Sequence, residues 1–417
     1  MWFEVSCPSR YKNNGRVIGG WQDSLETIVR QSHSLELIIA FEGRNGEEET
    51  KIVDGVTYIP IPIHYSLYER KWKNRYSWEP RVNQLQKGMK MILSQYHPDV
   101  IHVFGTEWPF GLIAEVTDIP VVIHIQGAII PYFNANFPPG YSIHDRYKQI
   151  HWYTPWKYLA AKFEHIKNKE HIELEKRIWK SVRFYMGRTN WDKALSAVLH
   201  PGRKYFHVDE ALRPQFISND GLSWHCPEDG VIHLISTGCS TFWKGPDMML
   251  KTAKVLKSLG VKFEWVVAGS MPRRLKQMVE KHEKTTFYEN NIRFLGFVQP
   301  KELMTLICNS TIYVHTAYVE NSPNSICEAQ CLGCPVISTN VGGISTLVQH
   351  NEDGILVPAN DPWQMANAII EMTSEKDKMF LFSKRAKEKA LARHCREHII
   401  SQLLNCYEAL SDFHKQE

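Results

Sequence analysis

The residues with the most to offer chemically lie between positions 320 and 328, Glu320-Asn321-Ser322-Pro323-Asn324-Ser325-Ile326-Cys327-Glu328. They follow a β-type run, 312–315, and Ser322 with Pro323 predicts an N-cap and a first helical residue. The helix should run to Leu332 and stop at Gly333. A strand-to-helix turn of this kind offers unpaired N–H groups and a positive dipole end, which suit a phosphate. Glu328 stands roughly 7–8 Å along that helix at about 1.5 Å per residue. That is too far to oppose a phosphate, but within reach of a sugar hydroxyl. Three other segments carry compatible chemistry. Gly238-Cys239-Ser240-Thr241-Phe242-Trp243-Lys244-Gly245 follows another β-type run and brings a lysine to a diphosphate as a point charge. Val341-Gly342-Gly343-Ile344 is a close-approach glycine loop. Asn291 to Val298, with Arg293, gives a flat base an edge to pack against.

These elements sit in an alternation of short β-rich runs and helical patterns, which predicts parallel sheets wrapped by helices. In the first half the runs are 2–6, 35–41, 100–104, 121–125 and 183–186, with a helix at 21–32. A polar, turn-rich stretch from 216 to 230 reads as a boundary, and a second α/β series starts at Val231. The expected architecture is α/β, two doubly wound Rossmann-like parallel-sheet domains facing a ligand cleft. The domains are placed at 1–218 and 219–397, with a terminal helix over about 398–417 expected to pack back on the first.

In order and spacing, residues 231–372 resemble the donor-binding domain of the family 4 retaining glycosyltransferases, which have the GT-B fold. The matching features are G-x5-K-G at 238–245, the Phe294-Leu295-Gly296-Phe297-Val298 run, and the Glu320/Glu328 pair around Ser322-Pro323-Asn324-Ser325. Glu328-Ala329 through Gly333-Cys334-Pro335-Val336-Ile337, the 341–344 loop and Asp353-Gly354-Ile355-Leu356-Val357-Pro358 complete them. The first half resembles the acceptor domain through Gly19-Gly20 before a helix, Asp99-Val100-Ile101-His102 and the His124 strand.

The resemblance implies a retaining, hexosyl-type transfer from a UDP- or GDP-linked sugar to a glycan or lipid-linked acceptor, in polysaccharide or glycolipid synthesis. It implies no cofactor and no metal, and no D-x-D motif is present. Lys244 would neutralise the diphosphate, Glu328 bind the ribose, and Glu320 with the Asn321–Asn324 backbone and Ser325 line the sugar. Gly19, Gly20 and Gly238 would approach the phosphates, and Arg293 belongs with the donor set. Two departures stand out. Cys239 replaces a frequent arginine, for which Arg213 or Arg16 could compensate, and Gln126 stands where the family histidine aligns. On a strand His124 and Gln126 point the same way, so either could act. Glu107, Arg188, Asp192 and Arg213 are the acceptor-side candidates. A sugar-nucleotide epimerase of the same architecture is the alternative enzyme. A non-catalytic nucleotide-sugar binder is a third reading, encouraged by Cys239 and Gln126.

Composition narrows the class. Of 417 residues, 43 % are hydrophobic and 23 % charged, which excludes wholesale disorder. The N-terminus has no leader pattern and the most apolar stretch, 119–133, is too short and too interrupted to span a bilayer, so the expected location is cytoplasmic. Nine irregularly spaced cysteines read as reduced core residues, not a disulfide framework or a metal site. The formal charge of +4 is concentrated: residues 68–90 carry seven bases against Glu69 and Glu79, interleaved with Tyr68, Trp72, Tyr76 and Trp78. Trp156, Leu159, Phe163 and Ile166, with Lys157, Lys162, Lys167 and Lys169, form a second such stretch. Basic charge with Trp and Tyr fits an anionic membrane surface, and so a peripheral inner-face location. Nucleic acid is not an expected partner, because no binding motif accompanies the charge.

Overall fold

A computed structural model of the chain describes residues 1–12, 20–43, 47, 49–147, 156–218 and 221–416. The backbone forms two units. The first comprises Met1–Ile130, Trp152–Ala211 and Arg396–Glu417, and the second Pro131–His151 and Leu212–Cys395. Residues 131–151, which the sequence reading placed in the first domain, therefore cluster with the second.

The first unit holds β1 (Trp2–Glu4), β2 (Ile38–Gly43), β3 (Lys51–Val53), β4 (Val56–Pro62), β5 (Ile101–Phe104), β6 (Val121–His124), β7 (Phe184–Gly187) and β8 (Lys204–His207). They make one sheet in the order β3-β4-β2-β1-β5-β6-β7-β8, parallel except for the β3–β4 pair. Alternation sends successive side chains to opposite faces. Phe3, Val103, Ile123 and Tyr185 join one buried cluster, and Trp2, Phe104, Val122 and Met186 the other. Both faces must therefore be covered. The C-terminal helix Arg396–Gln416 covers the second with Ile399, Leu403, Tyr407 and Leu410. β4 went unread in the sequence because Pro60 and Pro62 interrupt it. β3 pairs only with Val56–Tyr58, so both prolines fall beyond the stretch that needs donors on that side.

The second unit holds β9 (Ile232–Thr237), β10 (Phe263–Ala268), β11 (Ile292–Gly296), β12 (Ile312–His315), β13 (Val336–Thr339) and β14 (Ile355–Val357). Every pairing is parallel, in the order β11-β10-β9-β12-β13-β14. The order reverses between β9 and β12, where the loops leaving two adjacent strands diverge and a ligand site is expected. Cys308, Cys327, Cys331 and Cys334 are buried in this unit's apolar core. Among the described residues no helix is long and apolar enough to cross a membrane.

One hydroxyl pins the terminal helix to the first sheet. Tyr407 Oη accepts from Trp2 Nε1 at 2.9 Å and lies 2.7 Å from His102 Nδ1, with all three groups buried. Tyr407→Phe removes the partner of both and is expected to cost about 2–4 kcal/mol, measured by urea unfolding. A loss below about 0.5 kcal/mol would show that the helix is held by apolar packing alone.

Candidate active site

In the second unit the site is built on loops that two glycines bring together. Lys244 ends a short turn, Phe242–Lys244, closed by Gly245 at φ 70°. A Cβ on Gly245 would meet the Thr316 carbonyl oxygen at 1.8 Å, so only glycine permits this approach. Thr316 Oγ1 donates back to the Lys244 carbonyl at 3.0 Å, and the Tyr318 amide donates to the Trp243 carbonyl at 2.7 Å. The loop after β9 is thereby tied to the loop after β12. Gly342, at φ 54°, repeats the device: a Cβ there would meet the Glu320 carbonyl oxygen at 1.7 Å, and the Gly343 amide donates to that oxygen at 3.0 Å.

The result is an ion pair between Lys244 Nζ and Glu320 Oε1, with the glutamate nearly buried. His315, the last residue of β12, places Nε2 3.8 Å from the same oxygen. Burial pushes its pKa down to about 4 against the pull of Glu320, so the ring is neutral at neutral pH. The sequence reading missed His315. Its place at the carboxyl end of the strand five residues before Glu320 was the available sign.

The helix spans Asn324–Leu332, with Pro323 itself as the N-cap, so the predicted start at Ser322 and Pro323 moves one residue on. It ends at Gly333 in the left-handed region, φ 86°. Asn321 and Pro323 are buried, while Ser322, Asn324 and Ser325 are half-buried around the turn. Tyr313, on β12, hydrogen-bonds the hydroxyls of Ser325 and Thr237. Glu328 is buried and receives a two-pronged bond from Arg213, whose Nε and Nη2 each donate at 2.7 Å. Burial raises the pKa of Glu328 and the guanidinium opposes that rise. Arg213 therefore belongs to the second unit and holds Glu328. In this structure its guanidinium is engaged by that carboxylate.

Three further expectations are settled by position. Cys239 points into the core, where burial pushes its thiol up to about 12. Arg293 stands second in β11, level with Val266 and away from the carboxyl end at Gly296, and is exposed. Gly238 lies exposed at φ 65°, with no atom close to a Cβ there. Gly19 and Arg16 lie outside the described residues. Gly20 caps the helix Trp21–Ser32 at φ −81°, and a Cβ there would meet no atom of the described residues. The fold does not require glycine at that position.

In the first unit burial separates His124 from Gln126. His124 is fully buried against Trp21, His102 and Phe104, and its pKa is pushed far below the usual range. It is a core residue. Gln126 is half-buried in the loop after β6, and the preceding carbonyl, Ile125, accepts from Arg188 at 3.0 Å. Arg188 is buried against Glu210, and Asp192 caps a helix through the amides of Arg188 and Thr189. Both are positioning groups, not acceptor contacts.

Glu107 is different. Gly105, at φ 82°, leaves open a place where a Cβ would meet Glu107 Oε2 at 2.2 Å and Gln126 Cγ at 3.7 Å. The two side chains therefore converge over one glycine. Oε2 is buried without a hydrogen-bond partner among the described residues. Burial, reinforced by the negative charge of Glu175, raises the Glu107 pKa to about 7. Glu175 is itself held by Thr106 Oγ1 at 2.7 Å and the Ile129 amide at 2.8 Å, so it ties the loops after β5 and β6 together.

A carboxyl group whose pKa is raised on folding binds more protons in the native state, so stability falls as pH rises from about 4.5 through 7. Glu107→Gln should gain about 1–3 kcal/mol in urea unfolding at pH 8, and only a few tenths at pH 4.5. An equal gain at both pH values would contradict the raised pKa. Arg213→Ala leaves Glu328 buried and unpaired, and should cost about 3–5 kcal/mol, with Glu328→Gln restoring part of the loss.

Comparison with known proteins agrees with this geometry. The family Glycosyl transferases group 1 matches residues 228–389. The D-inositol 3-phosphate glycosyltransferase of Corynebacterium urealyticum is 28 % identical over 173 residues, 40 % of each chain. The amylovoran biosynthesis glycosyltransferase AmsK of Erwinia amylovora is 23 % identical over 194 residues, 44 % of this chain and 45 % of the relative. These matches span less than half the length of the curated relatives. Over 98 % of both chains, the backbone follows sucrose-phosphate synthase of Thermosynechococcus elongatus at TM-score 0.69 and 15 % identity. It follows Anabaena HepE in complex with UDP at TM-score 0.62 and 14 % identity, over 98 % of this chain and 99 % of that one. The chain thus carries a group 1 glycosyltransferase segment over residues 228–389 and has the GT-B fold of such enzymes.

Proposed function

We propose that the protein is a metal-independent, retaining hexosyltransferase that moves a sugar from a UDP- or GDP-linked donor to a glycan or lipid-linked acceptor. It would work in the cytoplasm at the inner membrane face, in polysaccharide or glycolipid synthesis. The observation that carries this reading is the Lys244–Glu320 pair at the point where the strand order reverses, inside the matched segment. The curated relatives named above act on sugars by their names, and one neighbour binds UDP.

Lys244 meets the negative charge that grows on the diphosphate as its oxygen leaves the anomeric carbon with the bonding pair. A metal would do the same work, and a lysine placed at the leaving group removes the need for one. Glu320 faces the positive charge that grows on the sugar ring. Retention requires the acceptor hydroxyl to enter on the face from which the diphosphate departs. The departing oxygen is then the nearest base for the hydroxyl proton. Glu328 accepts from ribose hydroxyls while Arg213 holds it still. In the first unit, Glu107 and Gln126 recognise an acceptor hydroxyl.

The test is thermal shift with UDP, GDP and ADP, then incubation with a panel of nucleotide sugars with and without acceptors. One nucleotide should stabilise the protein. Lys244→Ala and Glu328→Ala should each weaken its binding about 10-fold or more. Glu320→Gln should slow transfer at least about 100-fold while leaving nucleotide affinity within about fivefold. Unchanged shifts in both binding variants would refute the donor assignment. A changed sugar without transfer would make the protein an isomerase, and binding without turnover a sensor.

A further inference from the structure

Two stretches of the first unit that are about 80 residues apart in sequence form one surface. The first is Leu67 to Tyr76, made of a helix, Leu67–Lys71, and a short turn, Lys73–Arg75. The second is the opening half of the helix Trp156–Ser181, whose buried residues, Glu175, Ile178 and Trp179, all lie in its last two turns. The opening half is therefore helical without being buried in the core. Its apolar residues Trp156, Leu159, Phe163 and Ile166 recur at i, i+3, i+7 and i+10, which places them on one side.

The two stretches touch along this half. The Tyr76 and Phe163 rings lie 5.7 Å apart, Lys167 Nζ donates to the Asn74 carbonyl at 2.6 Å, and Glu170 accepts from Ser77 Oγ at 2.9 Å and the Trp78 amide at 3.0 Å. Large apolar side chains remain in water on both: Leu67, Tyr68 and Trp72 (52 % exposed) on one, Trp156 (63 % exposed), Leu159 and Ile166 on the other. Around them stand Arg70, Lys71, Lys73, Arg75, Lys157, Lys162, Lys167 and Lys169, against Glu69, Glu164 and Glu170. That is a local net of +5 from eight bases and three acids, larger than the +4 of the whole chain. Lys73 is paired with Glu79 and Lys167 with a carbonyl. Among the described residues no ion pair or hydrogen bond engages the side chains of Arg70, Lys71, Lys162 and Lys169, all exposed.

We infer that this face is a docking surface for an anionic lipid bilayer. A soluble polyanion would answer the charge but leave two indoles, two leucines and an isoleucine in water. The interface of a bilayer answers both, taking Trp and Tyr at the headgroup level while its acidic lipids meet the lysines and arginines. In purpose the inference rests on the lipid-linked acceptor proposed above. The binding is measured without donor or acceptor, so either reading can fail alone.

The full-length protein is mixed with vesicles of phosphatidylcholine alone, or with about 30 mol % phosphatidylglycerol, and binding is followed by sedimentation and tryptophan emission. Partitioning should favour the anionic vesicles at least about 10-fold and weaken as salt rises from about 0.1 to 0.5 M. Each charge near such a surface is worth about fivefold, so Arg70→Glu with Lys71→Glu, Lys162→Glu and Lys169→Glu should reduce binding more than about 100-fold. Trp72→Ala with Trp156→Ala should reduce it at least about fivefold and remove the blue shift in emission. Lys281→Glu with Lys384→Glu, on exposed positions of the second unit, should leave binding within about twofold. Equal, negligible binding to both vesicles overturns the inference. So does binding to heparin as tight as to anionic vesicles without an emission shift, which would make the surface a contact for an acidic glycan. Transfer activity that persists in the charge-reversed protein with a soluble acceptor would leave the enzymatic reading intact.

Discussion

Two close approaches of backbone to backbone govern the second unit. The carbonyls of Thr316 and Glu320 occupy the space a side chain would need at Gly245 and Gly342. Because Lys244 is bonded to Gly245, and the Gly343 amide holds the Glu320 carbonyl, both members of the central ion pair are fixed through their own main chains. With both main chains fixed, only the side-chain torsions remain to be ordered when the pair forms, which for a long, flexible group such as lysine still costs entropy. The same constraint sets the distance from His315 and the start of the helix carrying Glu328, since all of them leave β12 or the loop that follows it. Arg213 then completes the arrangement from a segment outside the sheet, with a fork that suits a carboxylate better than a lysine would.

Electrostatically, cations meet buried carboxylates in both units, as Arg188 meets Glu210 in the first. In the second, the buried carboxylates have cations: Glu320 has Lys244, Glu328 has Arg213, Asp247 has Lys251 and Asp353 has Lys389. In two of them, Glu328 and Asp247, burial raises the carboxyl pKa and the paired cation opposes that rise. In the first unit two carboxyl groups depart from this: Glu175 is held by a hydroxyl and main-chain amides, and Glu107 leaves one buried oxygen without a hydrogen-bond partner among the described residues. Neutral donors stabilise a carboxylate less than a cation does, so proton binding there is open to change.

Much of this was legible from sequence because the second unit's chemistry is local. β12 lies where the apolar run 312–315 predicted it, and Gly238 to Gly245, Glu320 to Glu328 and Gly342-Gly343 are each short, continuous segments. What was not legible is pairing across distance. Nothing in the spacing ties Arg213 to Glu328, 115 residues on, and Cys239 looked like a missing cation until its side chain proved to face the core. Arg293 stands second in its strand, and a motif does not say which residue of a strand reaches the loop. His124 and Gln126 have the same strand parity, so periodicity could not separate them. The strand ends at His124, and two residues later the chain has left the sheet, which is why one is packed on Trp21 and the other is not. The two basic, aromatic stretches were likewise seen apart, and only the Tyr76–Phe163 contact makes them one face.

The titrations of the first unit act in opposite directions on folding. His102 and His124 are buried neutral, with pKa values well below 6.5, so the unfolded chain binds more protons and stability is lost as pH falls below about 6.5. Glu107, raised to about 7, does the reverse: the native state binds the extra proton, and stability is lost as pH rises towards 7. Between these limits the histidines are already neutral while Glu107 is still changing its charge. Near neutral pH the buried histidines therefore hold no proton, while the buried carboxyl group of Glu107, just beyond the end of β5, still takes up or releases one. The separation comes from position alone. The histidines sit within β5 and β6 under the terminal helix, and the glutamate sits three residues beyond the end of β5, over a glycine that leaves it room.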